Sequence, residues 1–342
     1  MTSEAVDSAY KAIRSMEIRG AGRIARAATE ALKEGAIRSQ ARSPAQLVAE
    51  LTRYGLKLRE ARPTAVSLAN AVNFVLVGAN RGLGRRPKLE ALRKLVVSLC
   101  DDFIANSMNA VNVIAEIGAK RIVSGDVVLT HCNSEAVTQI LLAAKAQNKE
   151  FQVVVTETRP RYQGRLTATI LAKNGVDVSL IPDSACRLYM HEVDRVIVGA
   201  DAIASNGAVV NKIGTSTIAV VAHETRTRFY VAAETYKLSP RTLLGELVEI
   251  EERSPLEVVG ERWMKENPGV KVKNPAFDVT PPEYIDLIIT ERGVFPPQGI
   301  VFLMKELYPE PIVVPMKLTV CTRPISIERR AKAKETLLAG SP

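Results

Sequence analysis

Up to about residue 120 the apolar residues recur at helical spacing. Ile24, Ala27, Ala28, Ala31 and Leu32 mark one face of a helix over residues 20–34. Ser43 followed by Pro44 reads as a cap and a first-turn proline, opening a second helix through Leu47, Leu51 and Tyr54. Residues 66–77 and 89–117 continue the pattern, and clear strand signals are absent. The period changes near Ile122. Short β-branched runs then alternate with helical patterns, predicting strands at 127–129, 152–156, 176–180, 195–198, 229–232 and 287–289. The helices between them are expected at 134–147, 165–173, 184–191 and 215–223. Such alternation implies an α/β fold with a doubly wound, mostly parallel sheet. The expected organisation is a helical N-terminal domain over residues 1–120 and a sheet domain over 121–342. Residues 237–282, rich in proline and charge, fit neither period and are expected to form an excursion that packs on a partner subunit.

Length and composition narrow the class. The 342 residues suffice for two domains. The net charge of +9 suits nucleic acid or phosphorylated metabolites, but an aromatic content of 5% argues against stacking surfaces for single strands. The densest basic runs, 81–88 and 329–334, read as solvated faces. No apolar run approaches the ~20 residues of a membrane span, and residues 1–17 lack a signal-peptide core, so a cytoplasmic protein is expected. Cys100, Cys132, Cys186 and Cys321 show no CxxC spacing, and the three histidines show no HExxH spacing, so neither metal nor disulfide is expected.

Candidate chemistry gathers between residues 126 and 214. Two β-rich runs there lead straight into polar residues: one into Thr130-His-Cys-Asn-Ser134, the other into Gly199-Ala-Asp201. In open parallel sheets ligands sit beyond the carboxyl ends of the strands, so Cys132 and Asp201 are expected to meet across one small anionic substrate. Cys132 stands before a helix starting near Ser134. Amides there would lower its thiol pKa, or would hold a phosphate together with the Ser134 hydroxyl; a buried strand-end cysteine is the alternative. Asp201 could equally be a loop cap. Asn206-Gly207 reads as a tight turn. Asn211 and Lys212 suit a sugar hydroxyl or phosphate, although Lys212 could be an exposed loop residue. Arg19-Gly20-Ala21-Gly22 opens a helix where a backbone can approach a ligand and arginine can fork onto phosphate. Arg62, Arg159 and Lys237 stand near further turns or strand ends, and Arg62 could be a surface residue.

Taken together these motifs resemble the superfamily of sugar-phosphate isomerases related to initiation factor 2B, over nearly the whole chain from Arg19 to about Tyr308. The motifs are Arg62-Pro-Thr-Ala-Val, Thr130-His-Cys-Asn-Ser, Thr156-Glu-Thr-Arg-Pro with Gln163-Gly, Gly199-Ala-Asp, and Asn206-Gly with Asn211-Lys-Ile-Gly-Thr. Regulatory subunits of the initiation factor usually lack the cysteine and aspartate pair, which this chain keeps. Methylthioribose-1-phosphate isomerases commonly have Ala-Gly and Asp where Ser134-Glu135 and Ala208 stand here. The archaeal ribose-1,5-bisphosphate isomerase branch is similar in Met16 to Gly22, in Ala233 to Lys237, in Leu244 to Ile250 and in Asn274 to Tyr284.

That branch implies a Rossmann-like second domain, a hexamer built as a trimer of dimers, no cofactor or metal, and AMP as activator. Its reaction turns ribose 1,5-bisphosphate into ribulose 1,5-bisphosphate, linking AMP breakdown to carbon fixation. The resemblance makes Cys132 the group that takes the C2 proton and Asp201 the group that handles oxygen protons. It implies substrate contacts at Arg19, Gly20, Ala21, Gly22, Arg62, Ser134, Glu135, Ala136, Arg159, Asn211, Lys212 and Lys237. Two phosphates need two sets of donors. Arg19 with the Gly20–Gly22 backbone, Arg62 and the helix start at Ser134 form one expected set; Arg159, Lys212 and Lys237 form the other.

Overall fold

A computed structural model describes residues 4–308 of the chain. Cys321, the basic run 329–334 and the part of the expected sheet domain beyond residue 308 lie outside the described residues. The chain opens with five helices: α1 (Glu4–Arg14), α2 (Ala21–Arg38), α3 (Pro44–Ala61), α4 (Val66–Gly84) and α5 (Leu89–Ala119). Ser43 caps α3 by accepting a hydrogen bond from the Gln46 amide at 3.3 Å, with Pro44 in the first helical position where no amide partner is needed. The apolar faces of these helices meet in one cluster around Ile24, Leu32, Leu47, Leu51, Leu68 and Leu92.

Strands and helices then alternate as β1 (Val127–His131), α6 (Glu135–Ala146), β2 (Gln152–Thr156), α7 (Gln163–Lys173), β3 (Asp177–Ile181), α8 (Cys186–Tyr189) and β4 (Arg195–Val198). They continue as β5 (Ala202–Ile203), β6 (Val209–Lys212), α9 (Thr215–Thr225), β7 (Arg228–Ala232), α10 (Glu261–Glu266), β8 (Phe277–Thr280), β9 (Leu287–Thr290), β10 (Gly293–Phe295) and α11 (Ile300–Leu307). The main sheet has the order β10-β9-β7-β4-β1-β2-β3 and is parallel except for β10, which returns antiparallel along β9. β5, β6 and β8 form a separate antiparallel sheet.

The continuous apolar runs have a physical reason: the main sheet is covered on both faces. Val196 and Val198 of β4, with Phe229 and Val231 of β7, point into a core shared with α9 and α11. Ile197, Tyr230 and Ala232 point the other way, into a core shared with α6 and α7. Helix α5 contributes to two cores: Leu92, Val96 and Cys100 pack among the other helices, and Ile114 and Ala119 pack beneath the sheet. Among the described residues, no helix is long and apolar enough to cross a membrane.

Two sequence expectations need correction. The helix expected over 184–191 is a single α-turn, α8, flanked by 3-10 turns at Asp183–Ala185 and Met190–Glu192. Residues 237–282, expected to form an excursion, also pair back onto the same chain. They return as β8 along β6, and Glu252 bridges Pro275, with the Ala276 amide donating to the Glu251 carbonyl at 2.8 Å. This segment therefore lies against the loops that follow the strands.

Candidate active site

The strand order reverses at β1. From β1 the chain runs outward through β2 and β3; from β4 it runs the other way through β7 and β9. Loops leaving the carboxyl ends of β1 and β4 consequently diverge and leave a crevice between them. Cys132 follows β1 directly, and Asp201 stands three residues beyond the end of β4. The two ends are tightly apposed: a Cβ added at Gly199 would sit 2.5 Å from the Ser134 hydroxyl.

Cys132 is held in an unusual conformation, φ 69°, which a non-glycine residue adopts only when its surroundings enforce it. Its amide donates to Thr158 Oγ1 at 2.9 Å, and its carbonyl accepts from Thr167 Oγ1 at 2.8 Å. Thr158 is fixed in turn by Asp183, whose Oδ1 accepts from the Thr158 amide at 2.7 Å and whose Oδ2 accepts from the Arg159 amide at 2.6 Å. The ends of β1, β2 and β3 are thus knitted together. Gly164 makes the close approach possible, since any Cβ there would meet the Thr156 carbonyl oxygen at 1.8 Å.

The neighbouring His131 is buried between strands. Its Nε2 donates to the Ile213 carbonyl at 2.9 Å, which fixes the tautomer, and its Nδ1 accepts from the Thr156 hydroxyl at 2.5 Å. Burial lowers its pKa to about 4, so the ring is neutral and structural at physiological pH. Asp278 holds the same loop from β8. Its Oδ2 accepts from the Gly214 amide at 2.7 Å and from the Ser216 amide at 3.1 Å, at the start of α9. Burial pushes the Asp278 carboxyl up to about 6 against those two amides. Because this lies above its ordinary 3.8, the stability that protonated Asp278 supplies falls as pH rises from 3.8 to about 6. Thermal melts across that window should show Asp278→Asn losing this limb relative to the parent chain; identical pH profiles would count against it.

Burial pushes the Cys132 thiol up to about 11. Lys212, the Asn133 amide and Arg253 pull it down, and Asp201 pushes it further up. The sequence expectation of a lowered thiol pKa is therefore corrected: the helix start favours the thiolate, but loss of water around the sulfur outweighs it. Lys212 is buried, with its ammonium 4.8 Å from the centre of the Phe277 ring. Burial, then Arg253 and Arg62, makes it more acidic than an ordinary lysine, while Cys132 and Asp201 oppose this. Asn211 is buried beside it, donating to Thr215 Oγ1 at 3.0 Å.

The remaining expected contacts fall into two clusters, grouped differently from the sequence reading. Arg62 belongs with Lys212: its Nη2 donates to Glu251 Oε2 at 2.8 Å, and it bears electrostatically on Lys212. Lys237 belongs with the α2 start. It pairs with Glu234 at 2.6 Å, Tyr236 donates to Glu234 Oε1 at 2.8 Å, and the Tyr236 oxygen lies 2.9 Å from where a Gly22 Cβ would be. The placement of Lys237 has a local cause: the 3-10 turn Thr235–Lys237 packs on α4, where Asn70 donates to the Tyr236 and Leu238 carbonyls at 2.9 and 2.7 Å. Glu135, the first residue of α6, meets Arg26 of α2 at 3.3 Å, so its charge is offset. Ser134 caps α6, and Ala136 is buried in its first turn. Gly20 caps α2 at φ 89°, followed by Ala21 and Gly22. Arg19 is exposed and donates to the Met16 carbonyl at 2.8 Å, and Arg159 is exposed and donates to the Val258 carbonyl at 3.2 Å.

Arg26, Arg161, Glu251, Arg253 and Asp278 carry polar groups into these clusters and were not singled out from sequence. Asp278 stands within the stretch Asn274 to Tyr284, and Arg161 between Pro160 and Gln163 of another motif, so a signal existed for both; the others lie in stretches without a clear motif. A larger hollow, about 300 Å³, lies at the opposite end of the sheet where β7 and β9 begin. It is lined by His223, Arg228 and Tyr284, away from the strand ends that carry Cys132 and Asp201.

The fold defines a mixed α/β protein whose crevice at the strand ends is lined by Lys212, Arg62 and Arg253. Residues 17–297 match the Initiation factor 2 subunit family, and the chain belongs to that family. Curated relatives from several archaea are named ribose 1,5-bisphosphate isomerase. That of Methanocaldococcus jannaschii is 49% identical over 304 residues, covering 89% of this chain and 95% of the relative. A methylthioribose-1-phosphate isomerase from Acetivibrio thermocellus is 38% identical, covering 84% and 87%. Among solved structures, the Pyrococcus horikoshii OT3 translation initiation factor eIF-2B superposes with a TM-score of 0.75 at 31% identity, covering 87% of this chain and 99% of that one.

Proposed function

We propose that the chain is an aldose–ketose isomerase converting ribose 1,5-bisphosphate into ribulose 1,5-bisphosphate, with Cys132 and Asp201 transferring the protons. The observation that carries this reading is the placement of Cys132 and Asp201 on the two strand ends flanking the reversal of strand order, with Lys212 electrostatically coupled to both. The archaeal relatives of that name support the substrate. Asp201 gives a proton to the ring oxygen as the furanose opens. Cys132, as thiolate, takes the C2 proton, leaving an enediolate-type phosphate ester. Cys132 then returns that proton to C1 while Asp201 takes the proton from the C2 hydroxyl, so both groups end as they began. The walls must also exclude water, because an enediolate phosphate eliminates. Turnover of ribose 1,5-bisphosphate by the purified protein tests the reading, and absence of product would refute it.

The same reading places the enzyme in the cytoplasm, in a route from AMP to carbon fixation with AMP as activator, on the family resemblance alone. It also makes the protein a hexamer arranged as a trimer of dimers. Leu188, Leu244, Leu247 and Phe302 are each at least 73% exposed on the single chain, apolar side chains that subunit contacts would cover. Sedimentation at micromolar concentration should give an assembly near six times 37.2 kDa, and a 37.2 kDa species would sink the oligomer.

A further inference from the structure

We propose that Arg253 is a further substrate-binding residue, its guanidinium gripping one phosphoryl group of the substrate while Glu251 holds it beside Arg62. This deepens the isomerase reading and rests on it. Arg253 comes from the segment that bridges to residues 274–276, and its amide donates to the Asn274 carbonyl at 2.9 Å. Its side chain is only 9% exposed. Its Nε donates to Glu251 Oε1 at 3.0 Å, and among the described residues this is its one hydrogen-bonded side-chain partner. The two terminal nitrogens are left with N–H groups to offer, in the fork geometry that fits phosphate.

The surroundings want an anion. The guanidinium stands 5.9 Å from the centre of the Phe277 ring, on which Lys212 also rests at 4.8 Å. Arg253 bears electrostatically on both Lys212 and Cys132. With Arg62 there are three cations here, and Glu251 is divided between two of them: Oε2 takes Arg62 and Oε1 takes Arg253. Burial works against the Glu251 carboxylate, yet the two arginines hold it below the ordinary range, so it stays charged. Arg253 and Lys212 line one narrow cleft together with Arg159, Arg161 and Asn274. Partly buried cations in excess of their counter-charges are costly until an anion joins them.

The test uses the full chain carrying Arg253→Gln and, as a milder change, Arg253→Lys. Two readouts are needed: steady-state kinetics with ribose 1,5-bisphosphate, and the rise in melting temperature caused by inorganic phosphate. Arg253→Gln should raise KM by about 10- to 100-fold with a much smaller change in kcat, the loss of one charge-assisted contact made to substrate and transition state alike. It should also shrink the protection by phosphate. Arg253→Lys, which keeps the charge and loses the fork, should fall between the parent and Gln variants, and it carries the test if the Gln variant does not fold. A lowered melting temperature with unchanged KM and unchanged phosphate protection would mark a purely structural residue and overturn the inference. If the parent chain turns over no bisphosphate, the isomerase reading fails, while phosphate protection still reports on Arg253 as an anion site.

Discussion

Cys132→Ser and Asp201→Asn should each remove nearly all turnover while leaving the fold intact. General acid–base groups typically contribute ~100- to 10,000-fold, and each of these is assigned two proton transfers in every cycle. Serine keeps the size of the side chain but is a far weaker acid than a thiol, so it cannot take the C2 proton. Asparagine keeps the shape of Asp201 and gives up its proton chemistry. The backbone hydrogen bonds that hold Cys132, from its amide to Thr158 and from Thr167 to its carbonyl, do not use the sulfur and should survive. Retention of more than about a tenth of the parent rate in either variant would end the assignment, because that loss lies below the usual range. Cys100→Ser and Cys186→Ser should stay active. Cys100 is buried among the N-terminal helices and Cys186 beneath the sheet, in clusters that exclude Cys132.

The raised Cys132 pKa gives this prediction a pH signature. A thiol with a pKa of about 11 carries little thiolate at neutral pH, and thiolate is the reactive form. Inactivation of the free enzyme by iodoacetamide should therefore be slow near pH 7 and accelerate steadily toward pH 11. Lys212 favours the thiolate, so Lys212→Met should slow the reaction further at any given pH. A rate already at its plateau by pH 8 would mean that the helix start at Ser134 dominates after all.

The sequence carried the main sheet because its strands are buried on both faces, which forces short continuous apolar runs such as residues 195–198. It also placed Cys132 and Asp201 at strand ends, since polar residues follow those runs directly. What escaped was non-local. β5 has two residues and β10 has three, too short to show a period. β8 pairs with β6 across 64 intervening residues, counting from Lys212 to Phe277, and no local pattern announces such a partner. The grouping of cations failed for the same reason. Arg62 reaches Glu251 from the end of α3, and Lys237 turns toward Gly22 because Asn70 of α4 holds its turn. The thiol pKa was misjudged because a helix start is visible in sequence, whereas the desolvation opposing it comes from residues far along the chain.

Substrate choice separates a ribose-1,5-bisphosphate isomerase from a methylthioribose-1-phosphate isomerase. Ribose 1,5-bisphosphate should exceed methylthioribose 1-phosphate, ribose 1-phosphate and ribose 5-phosphate in kcat/KM by about 100-fold or more. On the proposed reading the crevice offers two anion sites of different construction. One is cationic, with Arg62, Lys212 and Arg253 around Glu251. The other combines the amides at the starts of α2 and α6 with Lys237 and Arg26, whose charges are met by Glu234 and Glu135. Helix-start amides favour anions without a net charge on the side chains, so this second cluster suits a phosphoryl group despite its balance. A monophosphate leaves one site empty. Two lost charge-assisted contacts at ~1.5–3 kcal/mol each account for the expected factor. A methylthio group fares no better, because it would press an apolar surface against Tyr236, Glu234 and Lys237, buried polar groups with nothing to gain from it. Lys237→Gln should accordingly raise KM for the bisphosphate by about 10- to 100-fold and narrow the gap to the monophosphates. Faster turnover of methylthioribose 1-phosphate than of ribose 1,5-bisphosphate would overturn the two-anion argument and put the methylthioribose-1-phosphate isomerase reading in its place. No turnover of any of the four, in a protein that phosphate still protects against heat, would leave a non-catalytic ligand-binding subunit.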